Sequence, residues 1–329
     1  MKSYKIFFGY FIALFCLCYT CLSQVIETPK GKYEFIGLTS WKPQKLIDTL
    51  YAIDHPCAAI LRSKLGFADA SVVVYMDGER PYTVITVLEH QFADHVHYKS
   101  KFIDTNKIIE SWKDIIQIFE KHPMEYQFGI ANFGFVLLKQ NDTAISHLPD
   151  WIDINVVKQF WNILQNHNKI EDQQLAIRII NEDGNYENRI AAATMLANFF
   201  VNDSTWWILV DALRDPDGRV SQTAQQALST ISKTFPRQVN WCPMVNSIKY
   251  LIDGTNLFAF STIADVLIKT KVSSSLARPL LKDGTDILLD FLKAHHLNEK
   301  EIAWKLLVLL GGKDFGFDDK KWVNWISSL

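Results

Sequence analysis

The spacing of apolar residues changes along the chain, and the change predicts two parts of different structure. In the first part, short β-branched runs predict strands at Tyr33–Leu38, Ser71–Met76 and Tyr82–Leu88. The glycine-containing segment between the last two runs predicts a hairpin turn. Two more β-like pieces are expected within Tyr126–Leu138, around Asn132–Gly134.

Helical periodicity is interspersed with these runs. Apolar residues recur three and four positions apart in Pro43–Ile53, in Cys57–Leu65 and in Lys107–Lys121, and the last of these segments is strongly amphipathic. Strands and helices in this order predict a small α+β domain over residues 33–142. The sequence of this domain indicates no specific role.

From residue 145 onward the β-like runs stop and helical periodicity remains. Short polar connections separate the helical segments, which is typical of stacked or bundled helices. The predicted helices are Val156–Gln165, Asp172–Ile180, Asn188–Phe200, Thr205–Arg214, Val220–Phe235, Met244–Ile252, Leu257–Lys269, Leu276–Leu281, Asp286–Ala294, Glu299–Leu310 and Asp318–Ile326.

The segment from Asn188 to Ser232 contains an internal repeat with a period of about 32 residues, which is typical of helical repeat proteins. Small residues at matching positions allow helices to approach closely, and large ones fill the layer between them. Matching positions hold Asp183 and Asp215, Ala192 and Ala224, and Leu196 and Leu228.

The second copy of this repeat resembles HEAT repeats, especially the short class first named from phycobilisome lyases. The residues that carry the resemblance are Leu213, Asp215 to Asp217, Val220, Ala224 and Ala227-Leu228. The resemblance covers about residues 150–329. It implies a right-handed α-solenoid, a superhelix of the HEAT/armadillo type, with about five helix pairs. The last helix, which carries Trp322 and Trp325, resembles a cap of such an array.

A solenoid presents a long surface, so the resemblance implies a scaffold that binds a protein or peptide partner. The chain contains no G-x-S-x-G motif, P-loop or dinucleotide fingerprint, so we expect neither an enzyme nor a cofactor. The formal net charge is -2 and no block of like charges occurs, which gives no indication of nucleic-acid binding.

The N-terminal residues 1–23 have the pattern of a secretory signal peptide. Lys2 and Lys5 precede the apolar run Ile6–Leu22, and Ser23 provides a small residue for cleavage. Export to the periplasm or the extracellular space is therefore expected. Membrane attachment is an alternative if the segment is retained as an anchor or if Cys21 is acylated.

Two cysteines remain after the signal segment, and they are too few for a disulfide framework. Cys57 and Cys242 are predicted to be separate buried thiols, with a single bridge between them as the alternative.

Three histidines lie close together in the sequence and form the best candidate metal site. His90, His95 and His97 could supply zinc ligands, and an extended Asp94–Tyr98 would place the last two on one face. An N-terminal domain acting as a metal-dependent or hydrolytic module, positioned by the solenoid, is the alternative function. The alternative interpretation, without any metal, is a polar strand end with solvated histidines.

Two neighbouring tryptophans are weak candidates for partner contact. If one of Trp206 and Trp207 faces inward, the other reaches the surface, where tryptophan is enriched at binding sites. Other suggestive residues favour structural roles. Asp215 and Asp217 are predicted to form turns and helix caps. The triplet Asp314-Phe315-Gly316 is predicted to form a bend before a helix capped by Asp318.

Overall fold

The computed structural model describes residues 24–76, 78–103, 108–282, 284 and 286–329. The predicted signal peptide and Cys21 lie outside the described residues. Within them the chain forms a small mixed sheet followed by many helices.

The sheet has four strands in the order β1-β2-β4-β3. The outer pairs β1-β2 and β3-β4 are antiparallel, whereas β2 and β4 are parallel. The predicted hairpin is thus confirmed as the β3-β4 pair. The strands are β1 Gln24–Thr28, β2 Gly31–Ile36, β3 Asp69–Tyr75 and β4 Tyr82–Leu88.

Helices make up most of the remaining described chain, and every helix predicted after residue 145 has a counterpart. Their bounds are α1 Pro43–Ile53, α2 Ala58–Ser63, α3 Lys113–Lys121, α4 Pro123–Leu137, α5 Asn141–Ser146, α6 Ile154–Asn166, α7 Ile170–Glu182, α8 Tyr186–Leu196, α9 Asp203–Ala212, α10 Gly218–Thr234, α11 Val245–Ile252, α12 Phe260–Lys269, α13 Ala277–Leu281, α14 Asp286–Leu292, α15 Leu297–Gly311 and α16 Asp319–Ser327.

Two local expectations are wrong. The β-like pieces expected within Tyr126–Leu138 are part of α4, a helix that starts at Pro123. The segment Asp94–Tyr98 is not extended throughout, because a 3₁₀ turn spans His90–His95. In both cases a short apolar or polar run lacked the length needed to distinguish strand from helix.

Alternate residues of the sheet pack in two different cores. On one face, Phe35 and Ile85 contact the buried side of α1, including Leu46 and Leu50. On the other face, Val84 belongs to the large core formed by the helices. Because neighbouring strand residues point to opposite faces, the sheet lies between α1 and α2 on one side and the helical array on the other.

The helices pack in two rows. Each of α8, α10, α12 and α15 contacts the next member of its row, and so do α7, α9, α11 and α13. Ala192 in α8 and Ala224 in α10 are fully buried, which places these small residues between packed helices. Helices α3, α4 and α6 add a further layer, in which α3 contacts α8 and α4 contacts α10.

The last helix, α16, packs on α14. Trp322 is buried, and its ring lies 5.6 Å from that of Trp325, centroid to centroid. A Cβ at Gly311 would lie 3.2 Å from atoms of both tryptophan rings, so the missing side chain allows α15 and α16 to approach.

Among the described residues, no single helix has the length and apolar character needed to cross a membrane. The segments Cys242–Ile252 and Leu257–Lys269 meet that requirement only as a pair, and they are bent by 114°.

Candidate functional site

A cleft of about 280 Å³ opens where one end of the sheet meets the C-terminal helices. Its walls come from the loop after β2, the end of β4, the His90–His95 turn, the turn after α11, and the first turns of α14 and α16. Apolar residues form much of the surface, and a concave apolar surface with a few polar groups is typical of ligand sites. These apolar residues are Leu88, Phe92, Ile287, Leu289 and Val323.

Four aspartates line the cleft, and two of them lie beside a basic side chain of the same chain. His95 Nδ1 lies 3.1 Å from Asp253 Oδ2. Lys293 Nζ lies 2.7 Å from Asp290 Oδ1. Both of these aspartates are largely buried, so their charges need these partners.

The surroundings make ionisation of the two paired aspartates more difficult. Burial raises the pKa of both Asp253 and Asp290 above the ordinary aspartate value, and the negative charge of Asp286 acts in the same direction. His95 and Lys293 oppose this shift but do not cancel it. Burial is the largest cause of both shifts, so the raised pKa values reflect how enclosed the carboxyl groups of Asp253 and Asp290 are.

The other two aspartates, Asp286 and Asp319, have no ion-pair partner among the described residues. They are the first residues of α14 and α16. The cleft therefore contains two carboxylates available to a ligand from outside the chain.

Two glycines allow the walls of the cleft to come together. Gly37 has φ +81°, and a Cβ there would lie 2.2 Å from the carbonyl oxygen of Val87. Gly254 has φ +128°, and a Cβ there would lie 3.0 Å from Leu88 Cδ2. A positive φ favours glycine, so both positions require it for the loop after β2 and the turn after α11 to approach β4.

Glu89 fixes the loop that forms the sheet side of the cleft. Its carboxylate accepts hydrogen bonds from the backbone N–H groups of Thr39 and Ser40, both at 2.8 Å, and from both hydroxyl groups. Burial alone would raise the pKa of Glu89, but these hydrogen bonds outweigh it and hold the pKa below its ordinary value. The loop is thereby held against the end of β4.

The three predicted metal-binding histidines are not brought together. His90 is exposed, His95 pairs with Asp253, and the ring of His97 lies 4.1 Å from that of Tyr250. No group of three or more His, Cys, Asp or Glu side chains within the described part of the chain is arranged to hold a metal ion. The extended face that was expected to carry His95 and His97 is not formed, because His95 lies in a 3₁₀ turn.

The segment after this turn lies across the turns of the helical array. His97 N donates to Thr255 Oγ1 at 2.9 Å, Lys99 N to the carbonyl of Arg214 at 2.9 Å, and Ile103 N to that of Glu182 at 2.6 Å. The Nζ of Lys99 also lies 3.1 Å from Asp211 Oδ2. The segment thus connects three successive inter-helix turns and holds His95 in the cleft.

The two candidate tryptophans contact the protein itself. Trp206 is fully buried, and its indole N–H donates to the carbonyl of Phe200 at 2.7 Å. It offers no surface for a partner, so its assignment as a contact residue is corrected. Trp207 is half-buried and donates to the carbonyl of Asn240 at 2.7 Å.

The aspartates of the repeat have the predicted structural roles. The Oδ1 atom of Asp215 accepts from the N–H of Asp217 at 2.9 Å, and Asp217 in turn caps α10 by accepting from Arg219 N. In the preceding repeat, Asp183 accepts from the N–H of Asn185 in the same way, at 2.8 Å. These contacts fix the inter-helix turns.

The triplet Asp314-Phe315-Gly316 also forms a bend, as predicted. Asp314 accepts from Gly316 N at 2.7 Å and from the indole N–H of Trp304 at 2.8 Å. Asp318 caps α16 by accepting from Lys321 N at 3.1 Å.

The cysteines are separate, as predicted, but they are not both buried. Cys57 is half-buried at the start of α2, and Cys242 is exposed. Both are free thiols. The burial expectation failed at Cys242 because it lies in a surface 3₁₀ turn, Cys242–Met244, before α11 rather than inside a helix.

Sequence reasoning missed the residues of the cleft. The sequence places Asp253 in a connection between two predicted helices and Asp286 and Asp319 within predicted helices. No local signal identifies them as a group, because 33 residues separate each from the next along the chain, from 253 to 286 and from 286 to 319. Only the packing of α14 and α16 beside the end of β4 brings them to one cavity.

Comparison of the chain with protein families, with curated proteins and with solved structures gives no match. A functional proposal for this protein therefore rests on the repeat pattern and on the geometry of the cleft.

Proposed function

We propose that this protein is an exported scaffold of the HEAT-repeat type, whose helices form a right-handed α-solenoid and which binds a protein or peptide partner. The observation that carries the proposal is the two-row packing of α7 to α15, in which each helix contacts the next member of its row. Such rows give an extended surface on a rigid frame. Export rests on the charged and apolar pattern of residues 1–23.

The proposed contact point for the partner is the cleft. It lies where the sheet and the C-terminal helices both contribute walls. It combines apolar surface with four aspartates, of which only Asp253 and Asp290 lie beside a basic side chain of the cleft. Clefts at the junction between two parts of a protein are common binding sites. We assign no reaction and no cofactor to it.

Site-specific photo-crosslinking in the producing cells tests this proposal. A photoreactive amino acid replaces Val323, an exposed residue at the rim of the cleft. The matched control replaces Ile170, an exposed residue at the start of α7. We expect one reproducible protein adduct from position 323 and none of the same mass from position 170.

The absence of an adduct at position 323 under conditions where the protein is exported and folded would contradict the proposed function. An adduct of equal yield at both positions would show that the contact is not specific to the cleft.

A further inference from the structure

We propose that the cleft binds an organic cation, an ammonium or guanidinium group on an aliphatic arm, and that Asp286 and Asp319 hold its charge. The inference deepens the proposed function and rests on it in one respect: the cation would be a lysine or arginine side chain of the partner. The site itself is defined by the cleft alone.

The charge of the cleft is the first support. Four aspartates line it against one lysine and one histidine. Lys293 and His95 are already engaged by Asp290 and Asp253. A cation entering from outside would meet the two carboxylates at the starts of α14 and α16, of which Asp286 is exposed and Asp319 is half-buried. Hydrogen bonds between a charged donor and a carboxylate are stronger than those between neutral groups.

The shape and the apolar walls are the second support. A volume of about 280 Å³ is at the small end for ligand sites, so the cleft suits one side chain rather than a nucleotide or a lipid. Leu88, Phe92 and Ile287 offer contacts to a methylene chain. Lysine and arginine combine such a chain with a charged end, and they bury the chain while the charge stays near water.

The distribution of the carboxylates distinguishes an organic cation from a metal ion. The aspartates come from three elements around the wall: the turn after α11, the start of α14 and the start of α16. A small ion needs several oxygens within about 2.5 Å of one point. A flexible arm ending in a group with several N–H donors can reach carboxylates that lie further apart.

Saturation-transfer NMR on the purified protein tests the proposal with defined probes. The probes are Nα-acetyl-lysine methylamide, the arginine equivalent, and the lysine compound acetylated at Nε. The last has the same backbone and arm but no charge. We expect at least one cationic probe to bind and the acetylated probe to bind roughly tenfold more weakly or not at all.

Isosteric variants then test which residues supply the negative charge that binds the probe. Asp286→Asn and Asp319→Asn each remove one negative charge, and each is expected to weaken binding of the cationic probe by roughly tenfold. The matched control is Asp114→Asn, which changes an exposed aspartate in the first turn of α3 and should leave binding unchanged. Thermal unfolding of all variants establishes that they are folded.

A third variant should act in the opposite direction. Lys293→Gln removes the internal partner of Asp290, and we expect it to strengthen binding of the cationic probe by roughly threefold. Unfolding or general damage cannot produce tighter binding, so this result would separate the proposal from a stability effect.

Two results would overturn the inference: equal binding of the charged and acetylated probes, or wild-type binding by the Asp286→Asn/Asp319→Asn double variant. Its failure is distinguishable from that of the proposed function. A protein adduct at position 323 that persists in the double variant would refute the cation site and leave the scaffold function. Binding of the lysine probe without any protein adduct would refute the scaffold function and leave the cation site.

Discussion

At the scale of single residues, the most constrained contact is the buried ion pair between two repeats. Arg189 Nε donates to Asp215 Oδ2 at 2.8 Å and Nη2 to Oδ1 at 3.0 Å. Arg189 Nη1 also donates to the carbonyl of Asp183 at 2.7 Å, and the guanidinium lies 4.1 Å from the ring centre of Phe102. A buried charge with this many partners is stable only while all of them remain.

We therefore expect Arg189→Ala to lower the free energy of unfolding by about 3–5 kcal/mol, because Asp215 is left as an unpaired buried carboxylate. The matched control is Arg219→Ala, which breaks the partly exposed pair with Asp217 and should cost about 1 kcal/mol or less. Urea unfolding of the three proteins measures the difference. Similar losses for the two variants would mean that burial of the Arg189 pair is not what stabilises this turn.

Glu89 gives a prediction on acid stability. Its pKa is lowered in the folded protein, so its contribution is present above the ordinary pKa and is lost as the pH falls through the folded value. Glu89→Gln should destabilise the protein at about pH 7, and the difference from wild type should shrink below about pH 4. Urea unfolding across this range measures it. A difference that does not change with pH would contradict the assigned role of the carboxylate.

At the scale of elements, α4 and α10 approach closely at a glycine. A Cβ at Gly134 would lie 2.0 Å from Thr234 Oγ1 and 2.8 Å from Thr234 Cβ. Gly134, three residues before the end of α4, therefore provides a contact surface for α10. It also explains part of the incorrect strand prediction, because glycine and aromatic residues lower the helical signal of this segment.

Gly134→Ala should destabilise the protein by about 1–3 kcal/mol through overpacking against α10, although alanine is the better helix former. Gly218→Ala is the matched control, since Gly218 begins α10 and a Cβ there would meet nothing within 4 Å. Thermal unfolding compares the two. A gain in stability at position 134 would show that α4 and α10 are further apart than described.

The elements that the sequence predicted well are those with one buried face. α1 matches its predicted bounds, Pro43–Ile53, because Leu46, Ile47 and Leu50 form a single stripe. In α4, buried residues occur on more than one side, from Tyr126 to Val136, so the pattern has no clear period. The cleft was not predictable, because its carboxylates meet only through the packing of distant helices.

At the scale of the whole molecule, the sheet is joined to the helices by buried polar contacts. Glu34 in β2 accepts from the backbone N–H of His296 at 2.9 Å, just before α15. Asp69 in β3 accepts from Leu257 N at 2.9 Å, and Tyr75 donates to Glu299 at 2.5 Å. These bonds join the sheet to the array and so position the walls of the cleft that lies between them.

The most direct test of the proposed binding site is a methyl NMR titration of the protein with Nα-acetyl-lysine methylamide. Shifts are expected only at the methyl groups of the cleft wall, those of Leu88, Ile287, Leu289 and Val323. The exposed methyl groups of Ile170 and Val201, on the surface of other helices and turns, should not move. Shifts at Ile170 or Val201 without shifts in the cleft, or no shifts at all, would contradict the proposal that the cleft is the binding site.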